Sequence, residues 1–417
     1  MDSVNQHRVK MNTSRKTITI ELLRFLFAGI VVLHHSRYLL GDDNCYFLGG
    51  SLAVEFFLFV SGYLLMASAG KRAGAVKKAD SIESSVNAAA EGLMAGTDAN
   101  GKMSDLGSRT FGFLMHKIKG FLPEFVIAWG IGFTFAAAVQ HWNLHQIWRA
   151  FRDDFWELTL VKMSGLYTNG IDGVMWYLSA MLLAMAVLYP LLMRFRDMMS
   201  HIVCPLTALF IYGYLCREQG HPRDPSFWTG LFYKGFLRTM AGLCVGIVIY
   251  MAVKRCRRMA PNGLTALGNC LAALTQAAIL IISIRYMWLE KPSDEDYFYM
   301  FLLMLLVLMS FAGWGWEPLL HRDAKLAWCV SWLSMFLGRY SLPLYLGHIY
   351  FAQHMNEIPA LASMTGHARM GIYVGLSLVN GFLIMGFAEL WRRKRENVCA
   401  ALKRVLVRKS SAEDMGI

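Results

Sequence analysis

A succession of apolar segments, each close to 20 residues long, constrains this sequence more than any other feature. Ten of them occur, at 18–36, 47–68, 120–140, 173–193, 200–216, 228–252, 264–284, 297–314, 330–353 and 370–390. An α-helix rises about 1.5 Å per residue, so roughly 20 residues cross the ~30 Å hydrocarbon core of a bilayer. Because a helix satisfies its own backbone groups there, the sequence predicts an all-α, polytopic transmembrane helix bundle of about ten spans.

The composition agrees with a membrane protein. Hydrophobic residues make up 56% of the chain and charged residues 17%, whereas soluble domains average about 25% charged residues. The net charge of +12 would suggest nucleic acid in a soluble protein, but in a membrane protein it first suggests orientation. The eight cysteines show no CxxC and no Cys/His spacing of a metal site, so we expect no disulfide framework and no bound metal.

Lysine and arginine are unequally divided between the two sets of loops. With the N-terminus in the cytoplasm, the loops on that side carry 28 of the 41 basic residues, the opposite loops 9 and the helices 4. The positive-inside rule therefore predicts that both termini are cytoplasmic. We expect a cytoplasmic tail at 1–17, a transmembrane domain at 18–390 and a basic cytoplasmic tail at 391–417. Small polar residues predict a flexible cytoplasmic loop at about 69–110.

The outer loop at 141–172 differs from the others because aromatic residues alternate with charged ones in HQIWRAFRDDFWELTL. This pattern is compatible with an amphipathic helix at the membrane interface that helps to roof a cavity. An ordinary structured outer loop is the alternative.

Two polar residues of the first segment share one helical face. Eleven positions separate Arg24 from His35, which places them within roughly 20° of each other and about 16 Å apart along the axis. A charge within a span marks a functional site by default, although a snorkelling arginine and an interfacial histidine would give the same pattern. Glu55 of the second segment needs a cation or donor, so we expect it to pair with Arg24 or to orient His35.

Other charges are embedded in the later segments. Lys234 and Arg238 lie one helical turn apart, and Arg339 follows in a late segment. Each either lines a cavity or forms a structural pair with Glu124 or Glu389. In the second segment, Ser61-Gly62 follows Glu55 and is interpreted mainly as a site of close helix packing through small residues.

The arrangement Arg24-x10-His35 followed by Val54-Glu55-Phe56-Phe57-x3-Ser61-Gly62-Tyr63 resembles the signature of the membrane-bound acyltransferase-3 family. Four later stretches follow in the same order as similar segments of that family. They are the basic stretch from His116 to Pro123, Trp176-Tyr177-Leu178-Ser179, Arg238 with Gly242 and Gly246, and the run from Gly338 to His348 with its Tyr-Leu-x-His ending. The sequence departs from the pattern in having lysines where arginines are common and Glu55 where aspartate is common.

The resemblance implies an integral membrane enzyme that moves an acyl group, often acetyl, from acyl-CoA to a sugar or another envelope acceptor. We expect acetyl-CoA as the acyl donor, with the bilayer, acyl-CoA and a carbohydrate as partners, and a place in a bacterial cytoplasmic membrane. The residues expected to bind the donor are Lys117, Lys119 and Arg238. The residues expected to line the substrate cavity are Ser61, Trp176, Tyr345 and His348.

Acyl transfer to a hydroxyl needs a base, a cavity that excludes water and groups that stabilise an oxyanion. Histidine is the side chain best matched to proton transfer near neutral pH, and a carboxylate beside it would fix its tautomer. The expected catalytic residues are therefore His35 as general base, Glu55 as its orienting group and Arg24, which holds either the donor or Glu55. Direct attack by the acceptor and a transient acyl-enzyme both remain open.

Two other functions are compatible with the sequence. A secondary transporter or flippase of a glycan or lipid-linked intermediate would also carry embedded charges, but the internal symmetry common in transporters is not evident here. A catalytically inactive relative could instead act as a membrane partner or sensor, although Arg24 and His35 are both present.

Overall fold

The computed structural model describes the backbone of residues 17–41, 46–87, 101–166, 173–321 and 323–414, and the side chains of these residues except 71–105, 326 and 398–414. All regular elements in these ranges are helical, apart from one isolated bridge between Trp228 and Tyr233. The predicted all-α class is confirmed. The predicted tail at 1–17 lies, except for Thr17, outside the described residues.

The described part of the chain contains eleven helices of ten residues or more. They are α1 (Ile18–His34), α2 (Ala53–Asn87), α3 (Gly101–Val139), α4 (Leu144–Asp153), α5 (Trp176–Arg194), α6 (Cys204–Gln219), α7 (Lys234–Met259), α8 (Ala266–Leu289), α9 (Asp296–Ala312), α10 (Ala324–Leu346) and α11 (Gly366–Asp414). Short helical turns, such as Lys162–Ser164 and Ile349–His354, lie between them.

Each of the ten predicted apolar segments falls on one of these helices, with α4 as the addition. Within the described residues, eight helical stretches are long and apolar enough to cross a membrane, on α1, α2, α3, α5, α6, α7, α8 and α11. Helix α9 has only 17 residues, and Lys325, Arg339 and Pro343 reduce the apolar character of α10. The protein is therefore an integral membrane protein, while the count of ten spans stays a prediction.

The long helices extend beyond the predicted spans. Helix α2 runs on to Asn87 and α3 begins at Gly101, so much of the loop predicted at about 69–110 has a helical backbone. Alanine, lysine, glutamate and serine are tolerated or favoured in helices. A helix made of these residues is not detected by a search for apolar segments. Helix α11 likewise runs to Asp414 through most of the predicted tail at 391–417.

Helices α2 and α7 form the most extensive helix pair of the bundle. A Cβ atom at Gly62 would lie 2.1 Å from the carbonyl oxygen of Leu243, and one at Gly246 would lie 2.3 Å from that of Phe59. Only glycine allows two backbones to approach so closely, and small residues are the usual means of helix packing in membranes. The close packing expected at Gly62 is thus confirmed, and it brings the two helices into register.

Alanine at Gly62 should destabilise the bundle, because its methyl group would force α2 and α7 apart. Overpacking of this kind costs about 1–3 kcal/mol, and we expect a lower melting temperature of the purified protein in detergent micelles. Gly130→Ala is the matched control, since no atom lies within 4 Å of the added methyl group. Equal melting temperatures for the two variants would contradict the packing described here.

Candidate active site

A cavity of about 1100 Å³ opens at the end of the bundle opposite the N-terminus of α1. The end of α1, the beginnings of α5 and α7 and the end of α10 form its walls through His35, Trp176, Arg238 and Tyr345. The polar connections that follow α3, α6 and α8 complete it. The cavity therefore brings together four of the residues that the sequence predicted for the site.

Helix α4 roofs this cavity. Asn143 caps the helix with a capping box. The two faces of α4 have different surroundings. Leu144, Trp148 and Phe151 are exposed along one face, whereas Ala150 and Asp153 line the cavity from the other. The amphipathic helix considered for this loop is confirmed, and its apolar face points away from the cavity.

His35 lies in the cavity wall, whereas His348, also predicted for the cavity, packs behind His35 and is not among the residues that line the cavity. His35 follows the last residue of α1, and its Nδ1 lies 2.9 Å from the carbonyl oxygen of Val31. His348 is fully buried, and its Nε2 lies 3.1 Å from His35 Nδ1. The Nδ1 of His348 lies 2.7 Å from the carbonyl oxygen of Tyr345.

These contacts determine the tautomers of both rings. A carbonyl oxygen can only accept, so Nδ1 carries the hydrogen in His35 and in His348. The Nε2 of His348 is then an acceptor and shares the Nδ1 hydrogen of His35 with the Val31 carbonyl. Among the described residues no hydrogen bond engages Nε2 of His35, and the His35 side chain lines the cavity.

His34 has a different role from its neighbour. Its Nδ1 donates to the carbonyl oxygen of Phe47 over 2.7 Å, and the side chain is buried. The bond holds the connection between α1 and α2 against the end of α1. Both histidines line the cavity, but His34 is tied to the connection after α1, whereas Nε2 of His35 has no hydrogen bond among the described residues.

Glu55 is fully buried and accepts hydrogen bonds from Arg238 and from the Tyr212 hydroxyl, the latter over 2.8 Å. The predictions that Glu55 pairs with Arg24 or orients His35 are therefore wrong. Arg24 lies about 16 Å deeper along α1 than His35, whereas the close packing of α2 on α7 brings Arg238 directly to Glu55.

Arg238 is held on three sides. Besides Glu55, it donates to the carbonyl oxygen of Ser51 over 2.7 Å, and its guanidinium lies 5.7 Å from the ring centroid of Trp176. It is 1% exposed and lines the cavity. Arg238, which was predicted to bind the donor together with Lys117 and Lys119, therefore lies at the His35 end of the bundle.

The other predicted donor-binding residues lie at the opposite end. Arg24 pairs with Glu21 over 3.0 Å, and Lys117 lies over the ring of Phe113. Lys117 precedes Ala136, a residue of the cavity wall, by 19 positions on α3, which is roughly 28 Å along the helix. The structure therefore separates Lys117 from the cavity by most of the length of a membrane span, and Arg24 by about 16 Å.

Of the other residues predicted to line the substrate cavity, two line it and one does not. Trp176 and Tyr345 line the cavity, and the Tyr345 hydroxyl donates to the carbonyl oxygen of Val174 over 2.9 Å. Ser61 instead lies below it, with its hydroxyl 3.0 Å from that of Tyr177. Ser61 and Tyr177 are therefore polar groups within the bundle between the cavity and Arg24.

Two buried ion pairs of the cavity wall were not identified from the sequence. Arg223 donates from Nε to Asp296 over 2.7 Å, and Asp296 also accepts from the Tyr286 hydroxyl over 2.9 Å. Lys162 pairs with Glu157 over 3.1 Å. Both pairs involve irregular connections at the His35 end of the bundle, where no helical spacing links the partners.

Other embedded charges have structural partners. Arg339 pairs with Glu389 over 3.1 Å, and Arg392 pairs with Glu124. Lys234 is fully buried, with its ammonium nitrogen 3.5 Å from Nδ1 of His221. Burial, followed by the charge of Lys234, lowers the pKa of His221, so the imidazole accepts this bond in its neutral form at pH 7.

Arg238→Met should destabilise the protein strongly because it leaves the Glu55 carboxylate buried without its cation. Breaking one side of a buried pair costs about 3–5 kcal/mol, measured as a lower melting temperature in detergent. Arg339→Met removes a largely exposed pair and should change the melting temperature little. The double variant Arg238→Met/Glu55→Gln should recover part of the loss, and a double variant as unstable as Arg238→Met would contradict the pairing.

A family model described as an acyltransferase domain matches residues 18–386 of this chain. The match covers most of the 417 residues and includes every helix that contributes to the cavity. No curated protein and no solved structure matches the chain significantly. The membrane helix bundle and the extent of the match together show that the chain belongs to the membrane acyltransferase-3 family.

Proposed function

We propose that the protein is a membrane O-acyltransferase that transfers acetyl from acetyl-CoA to a carbohydrate hydroxyl, with His35 as general base. Membership of the family supports acyltransferase activity. The observation that carries the proposal is the His35 ring, which lines the cavity, is held through Nδ1 at the end of α1 and has no hydrogen bond to Nε2 among the described residues.

The proposed acyl transfer requires no redox partner and no metal, because it exchanges one carbon–sulfur bond for one carbon–oxygen bond and moves one proton. The acceptor hydroxyl gives its proton to Nε2 of His35 while its oxygen bonds to the thioester carbonyl carbon. The tetrahedral intermediate then collapses, the carbon–sulfur bond breaks, and the proton passes from His35 to the departing CoA sulfur. The products are the acetyl ester of the sugar and free CoA.

Three neighbours favour the imidazolium that forms during this step. The Val31 carbonyl and Nε2 of His348 both accept the Nδ1 hydrogen of His35. The negative end of the α1 dipole lies at the same ring, because His35 directly follows the helix. His348 therefore takes the orienting role that was predicted for Glu55, and it does so as a neutral acceptor.

The donor is proposed to enter from the other end of the bundle. Coenzyme A is anionic, and Lys117, Lys119 and Arg392 lie at that end, with Arg24 further in. With the N-terminus in the cytoplasm, this end faces the compartment that holds acetyl-CoA, as the distribution of basic residues predicts. The thioester would pass Ser61 and Tyr177 to reach His35.

The acceptor is proposed to occupy the cavity on the far side of the membrane. A hydroxyl of a cell-envelope or exported polysaccharide would meet His35 there, in a bacterial cytoplasmic membrane. The size of the cavity, about 1100 Å³, lies at the upper end of the range of roughly 300–1,000 Å³ for small-molecule pockets. It is large enough for more than one sugar unit.

His35→Ala should abolish most of the acetyl-CoA-dependent release of free CoA by the purified protein supplied with glycan acceptors. Loss of a general base costs about 10²–10⁴-fold in rate. His201→Ala is the control, because His201 is exposed on the turn Met199–Val203, away from the cavity. Turnover that survives in His35→Ala at the level of His201→Ala would exclude His35 as the base.

His348→Leu should lower kcat while leaving the KM for acetyl-CoA nearly unchanged. It removes an acceptor that serves a charged ring in the transition state, and such hydrogen bonds correspond to about 10–100-fold in rate. His348→Gln keeps an acceptor and should recover part of kcat. A rise in KM at constant kcat would indicate that His348 binds substrate instead of supporting His35.

A further inference from the structure

Three cations of the cavity wall are each neutralised by a carboxylate that lies behind the wall. The cation reaches the cavity surface in every case, whereas its partner does not. The pairs are Lys162 with Glu157, Arg223 with Asp296, and Arg238 with Glu55.

All six side chains of these pairs are more than nine-tenths buried. The cations are 4%, 2% and 1% exposed for Lys162, Arg223 and Arg238, and the carboxylates are 1% exposed or less. Charges so far from water keep their partners, because separating them would leave a buried unpaired charge. The neutralisation of each cation by its carboxylate is therefore a permanent feature of the cavity wall.

The consequence is a wall that offers hydrogen bonds without an excess of positive charge. Asp153 and Asp154 add carboxylates to the same cavity, and Arg37 and Lys291, which also line it, have interaction partners of their own. A carboxylate or phosphate on a ligand would lose its hydration and meet cations whose charge is already balanced. A sugar hydroxyl can both accept from and donate to such a wall.

We infer that the acceptor site takes a neutral, polyhydroxylated sugar unit, and that the carboxylates behind the wall exclude units that carry a carboxylate or phosphate. The identification of this ligand as the acyl acceptor rests on the function proposed above. The binding preference itself follows from the charges of the cavity wall and does not depend on that function.

Glu157 is the carboxylate that tests this inference best. Glu55 and Asp296 also bind Tyr212 and Tyr286 and hold long helices together. Glu157 and Lys162 instead belong to the outer connection after α4. Glu157→Gln keeps the size of the side chain and leaves the positive charge of Lys162 uncompensated at the cavity.

The experiment measures binding of two matched probes to the purified protein in lipid nanodiscs by titration calorimetry, without acyl-CoA. The probes are a neutral hexose trisaccharide and the same trisaccharide oxidised at each C6 to the uronate. Wild-type protein should bind the neutral probe about tenfold more tightly, a difference of 1.4 kcal/mol. Glu157→Gln should reduce that ratio severalfold by binding the uronate more tightly.

Two variants serve as controls. Glu295→Gln makes the same change of net charge at an exposed residue outside the cavity wall and should keep the wild-type ratio. Glu157→Gln/Lys162→Gln removes both charges and should return the ratio toward that of the wild type. A ratio that is the same in Glu157→Gln and Glu295→Gln would overturn the assignment of Glu157.

Equal or tighter binding of the uronate by the wild type, or binding of neither probe, would overturn the inference. The proposed function fails separately. A preference for the neutral probe without any CoA release would leave the inference standing and contradict acyl transfer. Acetyl transfer to the neutral and the uronate acceptor at equal rates would support the function and refute the inference.

Discussion

The buried pair of Glu55 and Arg238 links the two helices on which the rest of the bundle depends. Helices α2 and α7 pack more extensively than any other pair, and Gly62 and Gly246 allow their backbones to approach closely. An ion pair out of water is stable only when both charges and their hydrogen bonds are satisfied. Tyr212 and the Ser51 carbonyl complete that requirement, and the pair thereby defines the inner wall of the cavity.

Two different side chains perform the two roles that the sequence assigned to the single carboxylate of Glu55. Glu55 serves Arg238 and the wall, and a second imidazole, that of His348, orients His35. A neutral orienting group avoids another buried charge next to the base. The end of α1 supplies the remaining stabilisation of the imidazolium through its carbonyl groups. In the proposed mechanism, the proton is therefore transferred at a site where few charged groups contact the base.

The sequence predicted what depends on one helix at a time. Apolar length located the helices, and the face and depth of Arg24 and His35 followed from helical geometry. The partner of Glu55 did not, because it depends on which helix α2 packs against, and that is decided by contacts at Gly62 and Gly246. Arg223 and Asp296 are 73 residues apart and follow no spacing rule, so only the folded chain brings them together. The motif similarity did place His35, Trp176, Tyr345 and His348 in one region.

In the proposed function, the donor and the acceptor enter from opposite ends of the bundle, and His35 lies on the acceptor side. The most direct test uses proteoliposomes of one protein orientation, with labelled acetyl-CoA on the side of the α1 N-terminus and a membrane-impermeant glycan on the other. We expect acetylation of the glycan across the membrane and release of CoA on the donor side. Acetylation only when both substrates are on the same side would contradict the proposed transfer across the membrane.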